Sequence, residues 1–240
     1  MNSISKVSRR ALVRDGALLC SVSCFFGTVH SAELITQASP LGAFEEILIS
    51  TVGDLELVAD SKFGYSITAE PHVVKAITFK ISAKKLLIEA VANFDTKRPL
   101  KIIVRLPVLS KLEASGSVDI KSNVPTQREH LELVLNGSSG AKMSAIQSHV
   151  AVIRLAGSGA LELSGTVDKV KLTLTGSAGA DLKKLQCVDA DVTISGSGEV
   201  NVAVSKILLA TITGAGDIGY IGEPKVTTRI SGAGDVQRIR

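Results

Sequence analysis

The sequence predicts an all-β chain, a parallel β-solenoid of about seven coils with roughly 18 to 21 residues per coil. Three observations carry that reading: a glycine that recurs at near-constant spacing, apolar and polar residues that alternate on either side of it, and an interior that is aliphatic rather than aromatic. The recurring runs are LEASGSVDI, LVLNGSSGAKM, IRLAGSGALEL, LTLTGSAGADL, VTISGSGEVNV, ATITGAGDIGY and TRISGAGDVQR. Their first glycines are Gly116, Gly137, Gly157, Gly176, Gly196, Gly214 and Gly232. Successive units therefore recur at a nearly fixed period, which is that of a unit making one turn of a solenoid. An antiparallel sandwich would place strands and hairpin turns about every 8 to 12 residues instead.

Each part of the unit has a local cause. In Val170-Lys171-Leu172-Thr173-Leu174 and Asp191-Val192-Thr193-Ile194, apolar residues alternate with polar ones, which turns one face inward and one to water. The glycine that follows takes positive φ cheaply, so these seven positions are expected to be structural turns. A second short strand follows the turn, as in Glu199-Val200-Asn201-Val202, and a return segment such as Lys183-Lys184-Leu185-Gln186-Cys187-Val188 completes two or three strands per coil. Inward Val, Ile and Leu side chains contribute about 1.5 to 3 kcal/mol each when fully buried. A lone coil cannot bury them, and open ends need capping.

Residues 33–110 read as that cap, a β-rich layer continuous with the glycine-turn repeats of 111–240. Phe44, Phe63, Tyr65, Phe79 and Phe94 gather here, whereas Tyr220 is the only later aromatic. Bulky rings at one end suit closure of a narrow core better than an aromatic binding site. Leu55-Glu56-Leu57-Val58, Tyr65-Ser66-Ile67-Thr68, Leu86-Leu87-Ile88-Glu89 and Leu100-Lys101-Ile102-Ile103-Val104 read as strands, and the segment from Glu70 to Lys80 fits a short helix.

Residues 1–32 have the pattern of a signal peptide. Lys6, Arg9, Arg10 and Arg14 precede an apolar stretch from Ala17 to Val29, and Ser31 and Ala32 suit cleavage before Glu33. The stretch is too short to span a bilayer comfortably, so the mature form is expected to have no transmembrane span. Ser8-Arg9-Arg10-Ala11-Leu12-Val13-Arg14 resembles a twin-arginine export signal, the ordinary alternative being a Sec signal. The expected location is the periplasm, with secretion, or an outer-membrane lipoprotein anchored at Cys24, as alternatives.

Cleavage changes the charge. The chain carries 27 Lys and Arg against 23 Asp and Glu, and removal of the segment leaves 23 against 22. That near-balance removes the compositional case for nucleic acid or an anionic membrane as partner. Of the three cysteines only Cys187 would remain, so no internal disulfide is expected.

One more comparison rests on particular residues. Phe44-Glu45-Glu46-Ile47, Val52-Gly53-Asp54-Leu55-Glu56-Leu57, Pro99-Leu100-Lys101-Ile102-Ile103-Val104-Arg105-Leu106-Pro107 and the repeated Ser-Gly-Ser-Gly and Gly-Ala-Gly-Asp turns together resemble the auto-transporter adhesin head GIN domain family. The resemblance covers about residues 40–240 and implies a bacterial envelope protein with a β-solenoid fold. An auto-transporter head needs a translocating barrel, and the chain stops at Arg240.

No residue pattern points to catalysis. His72, His130 and His149 lack a neighbouring Cys or His at metal-ligand spacing, and Cys187 sits in an alternating return segment that suits a small buried thiol. Gly157-Ser158-Gly159 runs into the strand-like Ala160-Leu161-Glu162-Leu163 rather than a helix, so it is a turn and not a phosphate loop. An acidic ladder is the one distinctive polar feature. Glu199, Asp217 and Asp235, like Asp119, stand three places after a turn glycine, while Glu162 and Asp181 stand five after. Stacking would set the first three roughly 5 Å apart at each step, where a hard cation such as Ca²⁺ could relieve their repulsion. The calcium β-roll pattern is absent, and the expected reading is solvent-facing acids with no metal and no cofactor.

The function expected is a non-enzymatic exported envelope protein that contacts a protein or cell-surface component through its solenoid faces, with a homodimer through the solenoid ends compatible. The alternatives are a polysaccharide-active β-helix enzyme and a periplasmic scaffold or sensor partner.

Overall fold

The computed structural model describes residues 33–240, which belong to one compact unit; the expected signal peptide and Cys24 lie outside the described residues. The described part of the chain is mostly strand. Its leading part comprises β1 (Ile35–Pro40), β2 (Glu46–Ala59), β3 (Gly64–Ala69), the short helix α1 (Pro71–Ala76), β4 (Ile77–Ser82), β5 (Lys85–Ala90) and β6 (Lys101–Leu106). The stack continues through β7 (Lys111–Ser122), β8 (His130–Gly137), β9 (Gly140–Gly157), β10 (Ala160–Gly176), β11 (Gly179–Gly196), β12 (Glu199–Gly214), β13 (Asp217–Ile221), β14 (Lys225–Gly232) and β15 (Asp235–Arg238).

From β2 onward, coil stacks on coil in parallel. The register of β10 on β11 carries Leu172 onto Val192, Thr173 onto Thr193 and Gly176 onto Gly196, and β11 repeats the pattern on β12. The parallel solenoid makes about six turns. Return segments and strands fuse more than the sequence suggests: β9 to β12 are single strands of 16 to 18 residues, bent where the register shifts, as between Leu182 and Gln186. A bulge supplies the bend while keeping most backbone groups paired, so no separate loop is needed.

Alternation places the core. Along β11 the inward Val192 and Ile194 are fully buried, and the column through Leu174, Ile194 and Ile212 is buried over three coils. At the last coil the same column ends in Ile230, which is 45% exposed.

The opposite end is closed by antiparallel strands. β3 pairs antiparallel with both β1 and β6, and β4 pairs antiparallel with β5, while β5 and β6 lie parallel on β2. The stacking of β2 on β7, in register from Glu46–Lys111 to Leu57–Ser122, makes this layer continuous with the repeats. The rings pack here: Phe44 and Phe63 lie 5.3 Å apart and tilted, and Tyr65 stacks on Phe79 at 3.7 Å. Pro71 starts the helix with its φ already set, and the β-branched Ile77 returns the chain to strand. Buried Glu70 pins the loop that follows β5, accepting from Thr96 Oγ1 at 3.0 Å and Lys97 N at 3.2 Å. Burial pushes its carboxyl up, but those hydrogen bonds, with His72 and Arg98 nearby, outweigh it and hold the group below the usual range.

Candidate functional site

The outside of the stack has four distinct surfaces. The turn glycines form the first. Gly116, Gly137, Gly157, Gly176, Gly196, Gly214 and Gly232 all have positive φ and stand in one column along a corner of the stack. A Cβ on Gly176 would lie 2.6 Å from Gly157 O, so the preceding coil's backbone fills the space a side chain would need. This corner is structural. It presents no helix and no cradle for phosphate.

Beside it runs the acidic ladder. Glu199 stacks on Asp217 and Asp217 on Asp235, in register. Asp235 N donates to Asp217 Oδ1 at 3.0 Å, and Asn201 Nδ2 donates to Glu199 Oε1 at 2.7 Å. Further along the stack, Asp54 pairs with Asp119 and Glu162 with Asp181, in a depression of about 600 Å³ that also holds Lys121 and Lys142. Lys142 Nζ lies 2.7 Å from Glu162 and Lys183 Nζ 3.2 Å from Asp181. The Lys142 hydrogen bond holds the Glu162 carboxyl below the usual range, against the effect of desolvation. Lysines balance Glu162 and Asp181, and among the described residues no group of three or more His, Cys, Asp and Glu is placed to hold a metal.

The third surface is a flat wall formed by β8, β14 and the C-terminal halves of β9 to β12. Two of its outward columns carry no charge over three coils: Thr173, Thr193 and Thr211 in one, Thr175, Ser195 and Thr213 in the other. Exposed Ile207 and Leu209 adjoin them on β12. Charge borders the patch. Arg154 and Arg229 flank the threonine column, and Glu132 bridges Arg154 at 2.6 Å and Lys111 at 3.2 Å. Burial pushes the Glu132 carboxyl up, but the two cations outweigh it and hold it down. The Thr-x-Thr pattern that marks this patch is readable in sequence, where it registers only as outward alternation.

At another corner lies a groove of about 690 Å³ that crosses six coils, with Arg128 at one end and Glu223 at the other. His149 Nδ1 meets Asp168 Oδ2 at 2.5 Å on its rim. The bond to Asp168 raises the imidazole pKa against a desolvation effect, and the charges of Asp168 and Glu129 add to the rise while Arg128 opposes it. In sequence His149 reads as a lone solvent-facing histidine; Asp168, one coil later, is the signal that finds its partner. Cys187 borders the groove from the buried side, its Sγ donating to Ala203 O at 3.0 Å. Burial, with the Asp189 charge behind it, pushes the thiol up to about 12, which leaves it protonated and a poor nucleophile.

No curated protein sequence matches the chain. Solved structures do. A putative adhesin from Bacteroides fragilis is 20% identical, with a TM-score of 0.81 over 87% of this chain and 98% of that one. A structure named as a putative lipid binding protein from Parabacteroides distasonis is 24% identical, with a TM-score of 0.69 over 88% of this chain and 98% of that one. A putative adhesin from Parabacteroides merdae is 17% identical, with a TM-score of 0.66 and coverage of 88% and 98%. At these identities the likeness establishes the fold. Family membership rests on the sequence itself: residues 43–224 match the family described as "Putative auto-transporter adhesin, head GIN domain", and the chain belongs to it.

Proposed function

We propose that this is a non-enzymatic adhesion or protein-contact module of the bacterial envelope, exported by its N-terminal segment, and that the flat wall on β9 to β12 is its contact face. The observation that carries the reading is the charge-free patch of Thr173, Thr193, Thr211, Thr175, Ser195 and Thr213 beside exposed Ile207 and Leu209, bordered by Arg154, Lys171, Asp189, Asp191 and Arg229. Interface cores are depleted in charge and their rims are polar, which is the arrangement here. A rigid stack holds such a face without an ordering cost, so more of the contact energy appears as affinity. No helix among the described residues is long and apolar enough to cross a membrane.

The test is a photocrosslinking residue introduced at Thr193 on the wall and, separately, at Lys142 on the mixed-charge surface, in the protein expressed in its own cells. A discrete crosslinked partner from Thr193 alone is expected. Equal crosslinking from both positions, or none from Thr193, sinks the assignment of this face. Intact mass and fractionation of the same material test the export route: a soluble periplasmic chain beginning near Glu33 is expected, and a membrane-bound chain beginning at lipidated Cys24 overturns it. Turnover of an envelope polysaccharide that is lost on changing Glu162 or Asp168 would establish the enzymatic alternative.

A further inference from the structure

We propose that the corner groove binds one long-chain fatty acid, laid along the solenoid axis with its carboxylate at Arg128. The groove is an open depression of about 690 Å³; Val188, Ala203 and Ile221 give it partly exposed apolar surface over the nearly buried Val167, Cys187 and Val204, and Gln147, Thr166 and Gln186 form its polar side. These residues come from successive coils, so the apolar strip runs across the strands rather than along one of them.

Backbone pairing decides against a peptide strand. Val167 is in register with Cys187 and Cys187 with Val204, and the Cys187 thiol donates to Ala203 O. The floor therefore offers apolar atoms and side-chain edges but no free main-chain edge for a peptide to extend, as strand addition requires. An acyl chain asks for no such edge.

Length and charge fix the ligand more closely. Arg128, His149, Asp168, Val188, Ser205 and Glu223 occupy six successive coils, and five inter-strand steps span about 24 Å, roughly the reach of an extended acyl chain of sixteen to eighteen carbons. The two ends differ in charge. Glu223 at the far end is engaged by Arg238 at 3.2 Å, and Asp168 is engaged by His149. Glu129, next to Arg128, lines a separate depression with Glu46 and Lys111. Among the described residues Arg128 forms no ion pair, which leaves its guanidinium to donate two parallel hydrogen bonds to a carboxylate.

The unit Ala32–Arg240, stripped of lipid by unfolding and refolding, can be titrated with the fluorescent fatty acid cis-parinaric acid and the probe then displaced with palmitate. A saturable signal at one probe per chain is expected, displaced by palmitate and more than about a hundredfold less well by octanoate, since eight methylenes leave the floor. Arg128→Ala should weaken palmitate about three- to tenfold, as loss of an exposed charge contact does. Ala203→Trp fills the groove from a partly exposed position and Val188→Asp charges it; both should abolish displacement while the urea unfolding midpoint stays near that of the parent. Saturable binding unchanged in both variants, or no saturable binding at all, overturns the proposal. So does displacement of the probe by a short peptide of alternating Val and Thr where palmitate fails. The threonine columns of the contact face lie beyond Asp189 and Ile207 on the adjoining wall and are unaltered in these variants, so crosslinking from Thr193 and displacement by palmitate are read separately.

Discussion

Gly137 stands directly on Gly116: Ser138 N donates to Gly116 O at 2.9 Å, and a Cβ on Gly137 would lie 2.6 Å from that same oxygen. The relationship recurs at Gly176 over Gly157, where φ is +106°. Gly176→Ala therefore meets both a backbone clash and a disfavoured φ, and the bend cannot relax without breaking the Ser177 N to Gly157 O bond of 2.9 Å. A cost of about 2 to 4 kcal/mol is expected, read as a fall in the urea unfolding midpoint. A loss under about 0.5 kcal/mol would mean that the corner is not a packing constraint.

Position in the stack, not residue type, should set the cost of truncating the core. Ile194 and Ile230 belong to one inward column, but Ile194 is fully buried between two coils and Ile230 is 45% exposed at the open end. Ile194→Ala leaves a cavity that neighbouring coils cannot fill and should cost about 2 to 5 kcal/mol. Ile230→Ala should cost under about 1 kcal/mol, because water already replaces half its contacts. Equal costs in parallel denaturant titrations would show that β14 and β15 are covered in solution.

How far the sequence discloses this molecule depends on periodicity. The glycine period and the strand alternation are legible because every coil repeats the same local problem, a bend followed by a half-buried strand. The register of Glu199, Asp217 and Asp235 is legible for the same reason. The antiparallel closure by β1, β3 and β4 is not, because each of those pairings occurs a single time and belongs to no repeat. The corner groove is invisible in sequence: Arg128, Val188, Ala203 and Glu223 have different chemistry, and only the coil-to-coil register brings them together. The fusion of return segments into single bent strands also escapes alternation, since a bulge resets the period without a turn residue to mark it.

Cys187 is shielded by both access and ionisation. With its thiol pushed up from 9.0 to about 12 by burial, the native protein should react with iodoacetamide at pH 8 about a thousandfold more slowly than the unfolded chain from ionisation alone. The folded state binds this proton more tightly, so the group's contribution to stability is full below the unfolded pKa near 9 and falls as pH rises toward 12. The slope is at most about 1.4 kcal/mol per pH unit. Denaturant titrations of the parent and Cys187→Ala across that window measure it: the parent should lose more stability than the variant, and parallel curves would refute the assignment.

The His149 and Asp168 pair makes a prediction of opposite character, at neutral pH and on the surface. The bond from Asp168 Oδ2 favours the imidazolium, so the folded pKa lies above the ordinary 6.5, with desolvation working against it. A raised histidine stabilises the fold while protonated; that contribution is complete below the unfolded pKa and is lost as pH rises through the folded one. Both side chains are more than half exposed, so salt should shrink the effect. An NMR titration of the His149 ring protons gives the midpoint directly. Asp168→Asn should lower it, because the amide removes the carboxylate charge together with the strongest acceptor, and added salt at about 1 M should narrow the difference between the two proteins. A midpoint indifferent to Asp168→Asn would mean that the pair does not persist in solution, and that the rim of the groove carries no fixed imidazolium beside Arg128.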